Sequence, residues 1–147
     1  MPIVTTIEGR IAQVAIDRPE KRNTLSSELC KDLAREFLEL NDDTRVRSIV
    51  LCGHNNVFCA GLDIEEQLAE NTPIFNEFQK VIDALDALSK PVVAAVSGPA
   101  VSQGAAMLYH CDLVFAGEHA LFSMPGLALG QTPRYGVSLL AVKSGGY

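Results

Sequence analysis

Two stretches of this sequence share one plan, and that plan limits what the chain can fold into. Ser48 to Gly53 is a short apolar run, rich in β-branched residues and closed by Gly, and it reads as a buried strand. After it comes Val57-Phe58-Cys59-Ala60-Gly61-Leu62-Asp63-Ile64, a loop that enters a helix. Asp63 is placed to cap that helix, and Glu66 lies three residues on, as a capping box requires. The second stretch begins at Lys90 and Pro91. Val92 to Ser97 is again strand-like and ends at Gly98. Pro99 to Gly104 is a loop of small residues, and Gln103 to Tyr109 reads as a buried helix. Gly61 permits backbone angles that other residues avoid. Each helix entry carries backbone N–H groups without an intrahelical acceptor. The Leu62 N–H is the candidate from the first loop, and one such group from each loop could hold a single oxyanion between them.

The remaining elements alternate. Ile3 to Ile7 and Ile11 to Ile16 form a hairpin turned at Gly9. Asp17 to Asn23 is a polar loop. A helix follows from Thr24 to about Leu40, with Leu29, Leu33, Phe37 and Leu40 on one face. Its end at Asn41 to Asp43 leads to the strand run, which starts from Val46. A short acidic helix succeeds Asp63. Asn71-Thr72-Pro73 opens another helix, whose buried stripe is Ile74, Phe78, Ile82, Leu85 and Leu88. Asp112 to Ala116 and Ala120 to Met124 read as strands, Pro125 to Gly136 as a loop, and Val137 to Val142 as a helix start. Strands and helices in alternation define an α/β chain, and 147 residues imply one domain over 1–147.

Four segments resemble the enoyl-CoA hydratase/isomerase (crotonase) family. They are Asp17-Arg18-Pro19-Glu20-Lys21-Arg22-Asn23-Thr24-Leu25, similar to that family's R-P-x-x-x-N-[AST]-[LM] segment, Phe58 to Ile64, Lys90 to Gly98, and Cys111 to Ala116. They occur in order across the whole chain. The resemblance implies a superhelix of ββα units, although no repeat is visible in the sequence itself. It also implies a helical C-terminal part in relatives, beyond the point where this chain stops, so the chain reads as a truncated core. An apolar stripe of Val137, Leu140 and Ala141 is then expected to lie partly uncovered, favouring self-association. A homo-oligomer, trimer or dimer of trimers, is the family's implication.

The resemblance implies an acyl-CoA thioester as ligand, with Leu62 and Gln103 as backbone oxyanion donors. Ala60, Gly61, Leu62, Asp63, Ile64, Gln103 and Gly104 would line the substrate site. Coenzyme A would lie by Lys21, Arg22, Asn23 and the Ala60-Gly61 edge. Relatives usually carry Gly at the positions of Ser102 and Gln103. A hydratase of the family would carry Glu at the positions of Ala106 and Gly126, and one isomerase branch an acid near Arg134. All three acids are absent here. Tyr135 is a candidate catalytic group, because a decarboxylase branch places a Tyr near this loop. Three readings stay open: an enzyme (lyase, isomerase or decarboxylase) working through other groups, an acyl-CoA-binding protein without turnover, and an interaction or scaffold module.

Charge and cysteine usage narrow the rest. The net charge of −6 argues against nucleic acid as partner. No apolar run approaches membrane-spanning length, and Met-Pro-Ile-Val is no signal peptide start, so no membrane partner and a cytoplasmic or organellar location are expected. The four cysteines lack metal-ligand spacing and read as reduced thiols. No metal or separate cofactor is expected; coenzyme A enters as part of the substrate. Cys59 reads as a packed thiol, Asp63 as a cap, His54 and His119 as turn residues, and His110 as a packed helix-end residue. Ser102 lacks His and acid partners in triad order.

Overall fold

A computed structural model describes residues 2–145, except for the side chains of residues 127 and 129; the chain end at 146–147 lies outside it. Strands β1 (Ile3–Glu8) and β2 (Ile11–Ile16) form the expected antiparallel hairpin. Their alternation buries Ala12, Val14 and Ile16 against the core while the outer arm stays largely exposed. Helix α1 (Ser27–Asp42) starts at Ser26, whose side chain accepts from the Leu29 N–H. It buries Leu29, Leu33, Phe37 and Leu40 as the period of its apolar residues dictates.

Strand β3 (Ser48–Gly53) lies parallel to β2, β4 (Val92–Val96) lies parallel to β3, and β6 (Leu113–Ala116) lies parallel to β4. One sheet of order β1-β2-β3-β4-β6 results. The crossovers carry a short helix α2 (Ile64–Gln67), α3 (Ile74–Asp86) and α4 (Gln103–Leu108). Helix α3 packs on α1 through Ile74, Phe78, Val81, Ile82 and Leu85.

The segment expected as a loop from Pro99 is in part a strand. Pro99–Val101 (β5) pairs in parallel with Leu121–Ser123 (β7), and Ala100 also bridges to Cys59. This second ladder gives the chain its repeat: a strand of the main sheet, a short strand of the second ladder, then a helix. The pattern passes through β3, Cys59 and α3, then β4, β5 and α4, then β6, β7 and α5 (Val137–Gly145). It is a superhelix of ββα units.

Two local expectations change, and the partly uncovered stripe expected on the last helix is present. Glu66 does not close a box with Asp63; its carboxylate accepts from the Ser27 N–H at 2.9 Å and the Ser27 hydroxyl at 2.6 Å, so it caps α1 from a neighbouring helix. The loop after Met124 contains a 3-10 turn over Pro125–Leu129. In α5, Val137 is buried and Leu140 and Ala141 are half-buried, whereas Leu139 and Val142 are exposed. Leu113, Val114, Phe115, Leu121, Phe122 and Met124 extend this exposed apolar surface across β6 and β7. Among the described residues no helix is long and apolar enough to cross a membrane.

Candidate active site

The loop from Asp17 to Leu25 is stitched onto the loop before Gly61 by one side chain. Asn23 is fully buried, with Nδ2 donating to the carbonyls of His54 at 3.0 Å and Val57 at 2.7 Å. Its Oδ1 accepts from the Arg18 N–H at 2.8 Å. Leu25 then bridges to Leu62: the Leu25 N–H donates to the Gly61 carbonyl and the Asp63 N–H to the Leu25 carbonyl, both at 2.8 Å. Strand alternation turns the Leu62 N–H to the opposite side. It has no protein acceptor among the described residues, while the Leu62 carbonyl accepts from Gln67 Nε2 at 3.0 Å.

Gly61 takes φ +97°, a conformation side chains rarely adopt. A Cβ there would lie 3.2 Å from Ser102 Cβ and 3.3 Å from Gln103 Oε1. The two loops therefore meet at this residue. Gly104 shows a closer approach, since a Cβ on it would fall 2.3 Å from the Cys59 carbonyl oxygen. The start of α4 thus rests directly on the first loop. Ser102 holds φ 54° and ψ −117°, a combination glycine favours, so this entry is strained. Its hydroxyl donates to Gln103 Oε1 at 2.7 Å. Gln103 is 8% exposed, and its backbone N–H has no protein acceptor among the described residues.

Gln103, Ser102 and Ala106 form one wall of a cavity of about 430 Å³. Met124, Gly126, Arg134 and Tyr135 also line it, with Phe75, Val137 and Ala141. Ala106 and Gly126, where hydratases would carry Glu, both line it, and none of its described lining residues is Asp or Glu. Tyr135 stands edge-on to Phe78 at 4.7 Å between ring centroids, and its buried hydroxyl lacks a partner. Burial raises its phenol above the usual range, with the neighbouring Arg134 cation opposing. The Tyr135 carbonyl, an acceptor only, takes a hydrogen bond from His110 Nε2 at 2.9 Å, and His110 Nδ1 meets Asp86 Oδ1 at 2.7 Å. His110 thus fastens the cavity loop to the end of α3 and is a packed residue.

Other sequence candidates hold structural partners. Asp63 accepts from the Glu65 N–H at 3.1 Å and pairs with Arg18 at 3.0 Å, so its carboxylate is occupied. Burial pushes the Cys59 thiol up to about 12, which leaves no thiolate at neutral pH. Lys21 pairs with Glu65 at 2.9 Å, which raises its pKa. Arg22 is exposed, and its carbonyl accepts from the Ala60 N–H at 3.3 Å. Ile64 is exposed on α2. Sequence reading missed the clamping role of Asn23 and the Ser102–Gln103 bond. The signal for Asn23 was a buried-type Asn inside a polar loop, visible only with its three partners. Among the described residues no cluster of His, Cys, Asp or Glu is placed to hold a metal ion.

The enoyl-CoA hydratase/isomerase family model matches residues 6–146. A short-chain-enoyl-CoA hydratase from Clostridium acetobutylicum is 35% identical over 139 residues, covering 91% of this chain and 53% of the relative. A 2,3-dehydroadipyl-CoA hydratase from Escherichia coli is 31% identical over 146 residues, covering 98% of this chain and 57% of the relative. Among solved structures, an enoyl-CoA hydratase/isomerase from Pseudoalteromonas atlantica superposes with TM-score 0.89 at 33% identity, covering 97% of this chain and 57% of that one. An enoyl-CoA hydratase from Mycobacterium avium subsp. paratuberculosis gives TM-score 0.90 at 28% identity, covering 99% of this chain and 59% of that one. The chain therefore spans little more than half the length of these relatives. On the match of its sequence and of its ββα superhelix, the chain belongs to the enoyl-CoA hydratase/isomerase family.

Proposed function

We propose that this chain binds an acyl-CoA thioester and polarises its carbonyl with the backbone N–H groups of Leu62 and Gln103. The observation that carries this reading is the meeting of the two loops at Gly61, with both N–H groups lacking a protein acceptor among the described residues. Forming an enolate next to a thioester places negative charge on its oxygen. Preorganised donors in a water-poor site stabilise that charge by roughly 3–4 kcal/mol each. Both act through backbone, so the departures at Ser102 and Gln103 leave the donors intact. Arg22 is the cation of the coenzyme-side loop, since Lys21 is neutralised by Glu65.

The proton chemistry of hydration is weaker. Ala106 and Gly126 cannot move a proton, and general acid–base help is worth about 10²–10⁴-fold. The chain then stabilises an enolate without a strong base at those positions. Decarboxylation fits that equipment, with Tyr135 as a phenol at the cavity next to the Arg134 cation. A second reading, binding without turnover, is favoured by the same lack of carboxylates in the cavity lining.

Calorimetric titration with several acyl-CoAs tests the reading, followed by assays of hydration, isomerisation and decarboxylation on those that bind. Binding with weak or no hydration is expected. Hydration of crotonyl-CoA at ordinary enzyme rates would overturn the assignment of Ala106 and Gly126. A folded chain that binds no acyl-CoA would remove the proposal altogether.

A further inference from the structure

Apolar and polar residues line the cavity beyond Gln103, and Arg134 is the one charged residue among its described lining. Phe75, Ala106, Met124 and Val137 give it walls suited to an alkyl chain. Arg134 lines the same space, with its guanidinium 5.0 Å from the centre of the Phe75 ring. Stacking on the Phe75 ring holds the planar group at the cavity wall. Among the described residues no carboxylate pairs with Arg134, whereas Arg18 pairs with Asp63, Arg35 with Asp32 and Arg45 with Asp43. No described lining residue is acidic, so nothing in the cavity neutralises it. Arg134 is itself exposed, so its guanidinium can be reached by a ligand group entering the cavity it lines.

We infer that Arg134 is a specificity residue that receives a carboxylate carried by the acyl group, so that the preferred ligand is the CoA thioester of a dicarboxylic acid. The inference rests on the acyl-CoA reading above, because Gln103 belongs both to the oxyanion pair and to this cavity. What enters the cavity is then the part of the ligand that hangs from the thioester carbonyl. An Arg–carboxylate pair is frequently bidentate, and such a charge-assisted contact adds geometric selection to attraction.

The test is calorimetric titration of the full chain with malonyl-, succinyl-, glutaryl- and adipyl-CoA beside butyryl- and hexanoyl-CoA. The set is repeated on Arg134→Gln and Arg134→Lys, with circular dichroism to establish folding. The expected result is a preference of about tenfold or more for at least one anionic acyl group, from the 1.5–3 kcal/mol range of hydrogen bonds to charged groups. The preference falls with added salt, is lost in Arg134→Gln, and is partly kept in Arg134→Lys. Equal affinity for neutral and anionic acyl groups overturns the inference and leaves the acyl-CoA reading standing. A preference that survives Arg134→Gln overturns the role of Arg134. A uniform loss across all ligands in Arg134→Gln assigns the cation to the coenzyme and also overturns it. Failure of every acyl-CoA to bind a folded chain overturns the acyl-CoA reading itself.

Discussion

Asn23 Nδ2 donates to the Val57 carbonyl at 2.7 Å, and this contact joins two loops that are 34 residues apart in the chain. With the bonds to His54 and Arg18, it satisfies a fully buried amide and fixes the path into Gly61. Asn23→Ala leaves two partly buried carbonyls and an N–H without that partner. The expected cost is about 2–4 kcal/mol, since a lost bond strands its buried partner. Asn23→Asp should cost at least as much, because it turns a carboxylate toward two carbonyls. Urea unfolding midpoints check both. Midpoints within error of the parent would show that the clamp is dispensable.

Gly104 tests the contact between the second loop and the first. A methyl group there meets the Cys59 backbone at 2.3 Å and cannot be accommodated by a side-chain movement. Gly104→Ala should destabilise by about 1–3 kcal/mol and weaken acyl-CoA binding together, because overpacking displaces the oxyanion loops. Gly145→Ala has open space around it and serves as the matched control. Calorimetry and thermal melts on the pair separate a local clash from a general effect of Gly→Ala.

The elements that local pattern controls were legible in the sequence. The hairpin alternates with period two, and α1 repeats its apolar residues at helical spacing, so neither depends on distant residues. Strand β5 escaped because its three residues are ordered by pairing with β7, some twenty residues on. Glu66 lay at the right spacing for a capping box, yet Ser27 of another helix offered it two donors. Gly61 was legible as the site's pivot because its conformational freedom is a property of the residue. The Ser102–Gln103 bond was not, since it depends on the unusual backbone of Ser102, and neither was the place of Arg134 in the cavity, which depends on how separated segments fold together.

The buried thiols make stability sensitive to alkali. Burial raises Cys30, Cys59 and Cys111 above the usual thiol value of 9.0, with Cys59 and Cys111 at about 12. In the unfolded chain these groups release protons from about pH 9, while the folded chain keeps them. The unfolded state then binds fewer protons, so stability is full below pH 9 and falls as pH rises through the folded values. Each thiol contributes up to about 1.4 kcal/mol per pH unit in that window. Urea midpoints at pH 7, 8, 9.5 and 10.5 should be level and then fall. Cys59→Ala should shallow the fall; an unchanged slope would exclude this thiol as a source.

Strand β6 lies at the sheet edge with Phe115 65% exposed and Leu113, Val114, Phe122 and Leu139 also open to solvent. A contiguous exposed apolar surface with an unpaired strand edge favours association. Light scattering of the isolated chain is expected to give a mass above the 15.8 kDa of one copy. Val114→Lys with Phe115→Lys should lower that mass toward one copy without loss of helical signal. A clean monomer at high concentration for the parent chain would contradict this.

Ala106 and Gly126 line the same cavity as Gln103, so the chain can be used to ask what its missing carboxylates would do. Ala106 lies on α4 and is buried, whereas Gly126 is the second residue of the 3-10 turn that also lines the cavity. Ala106→Glu brings a carboxylate into a largely apolar wall, which raises its pKa by desolvation and favours a proton donor. Gly126→Glu enters a wider approach, with 3.6 Å to the Gln131 carbonyl oxygen from its Cβ. The first single variant should lose about 1–3 kcal/mol of stability from burying the carboxyl. The double variant should gain crotonyl-CoA hydration by about 10²-fold or more over the parent, the lower end of what positioned acids and bases supply. The gain depends on the oxyanion pair, so combining the double variant with Gly104→Ala should abolish it. Hydration that stays at the parent's level, in a folded double variant that still binds crotonyl-CoA, would show that the Leu62 and Gln103 amides do not hold the thioester where these carboxylates can reach it.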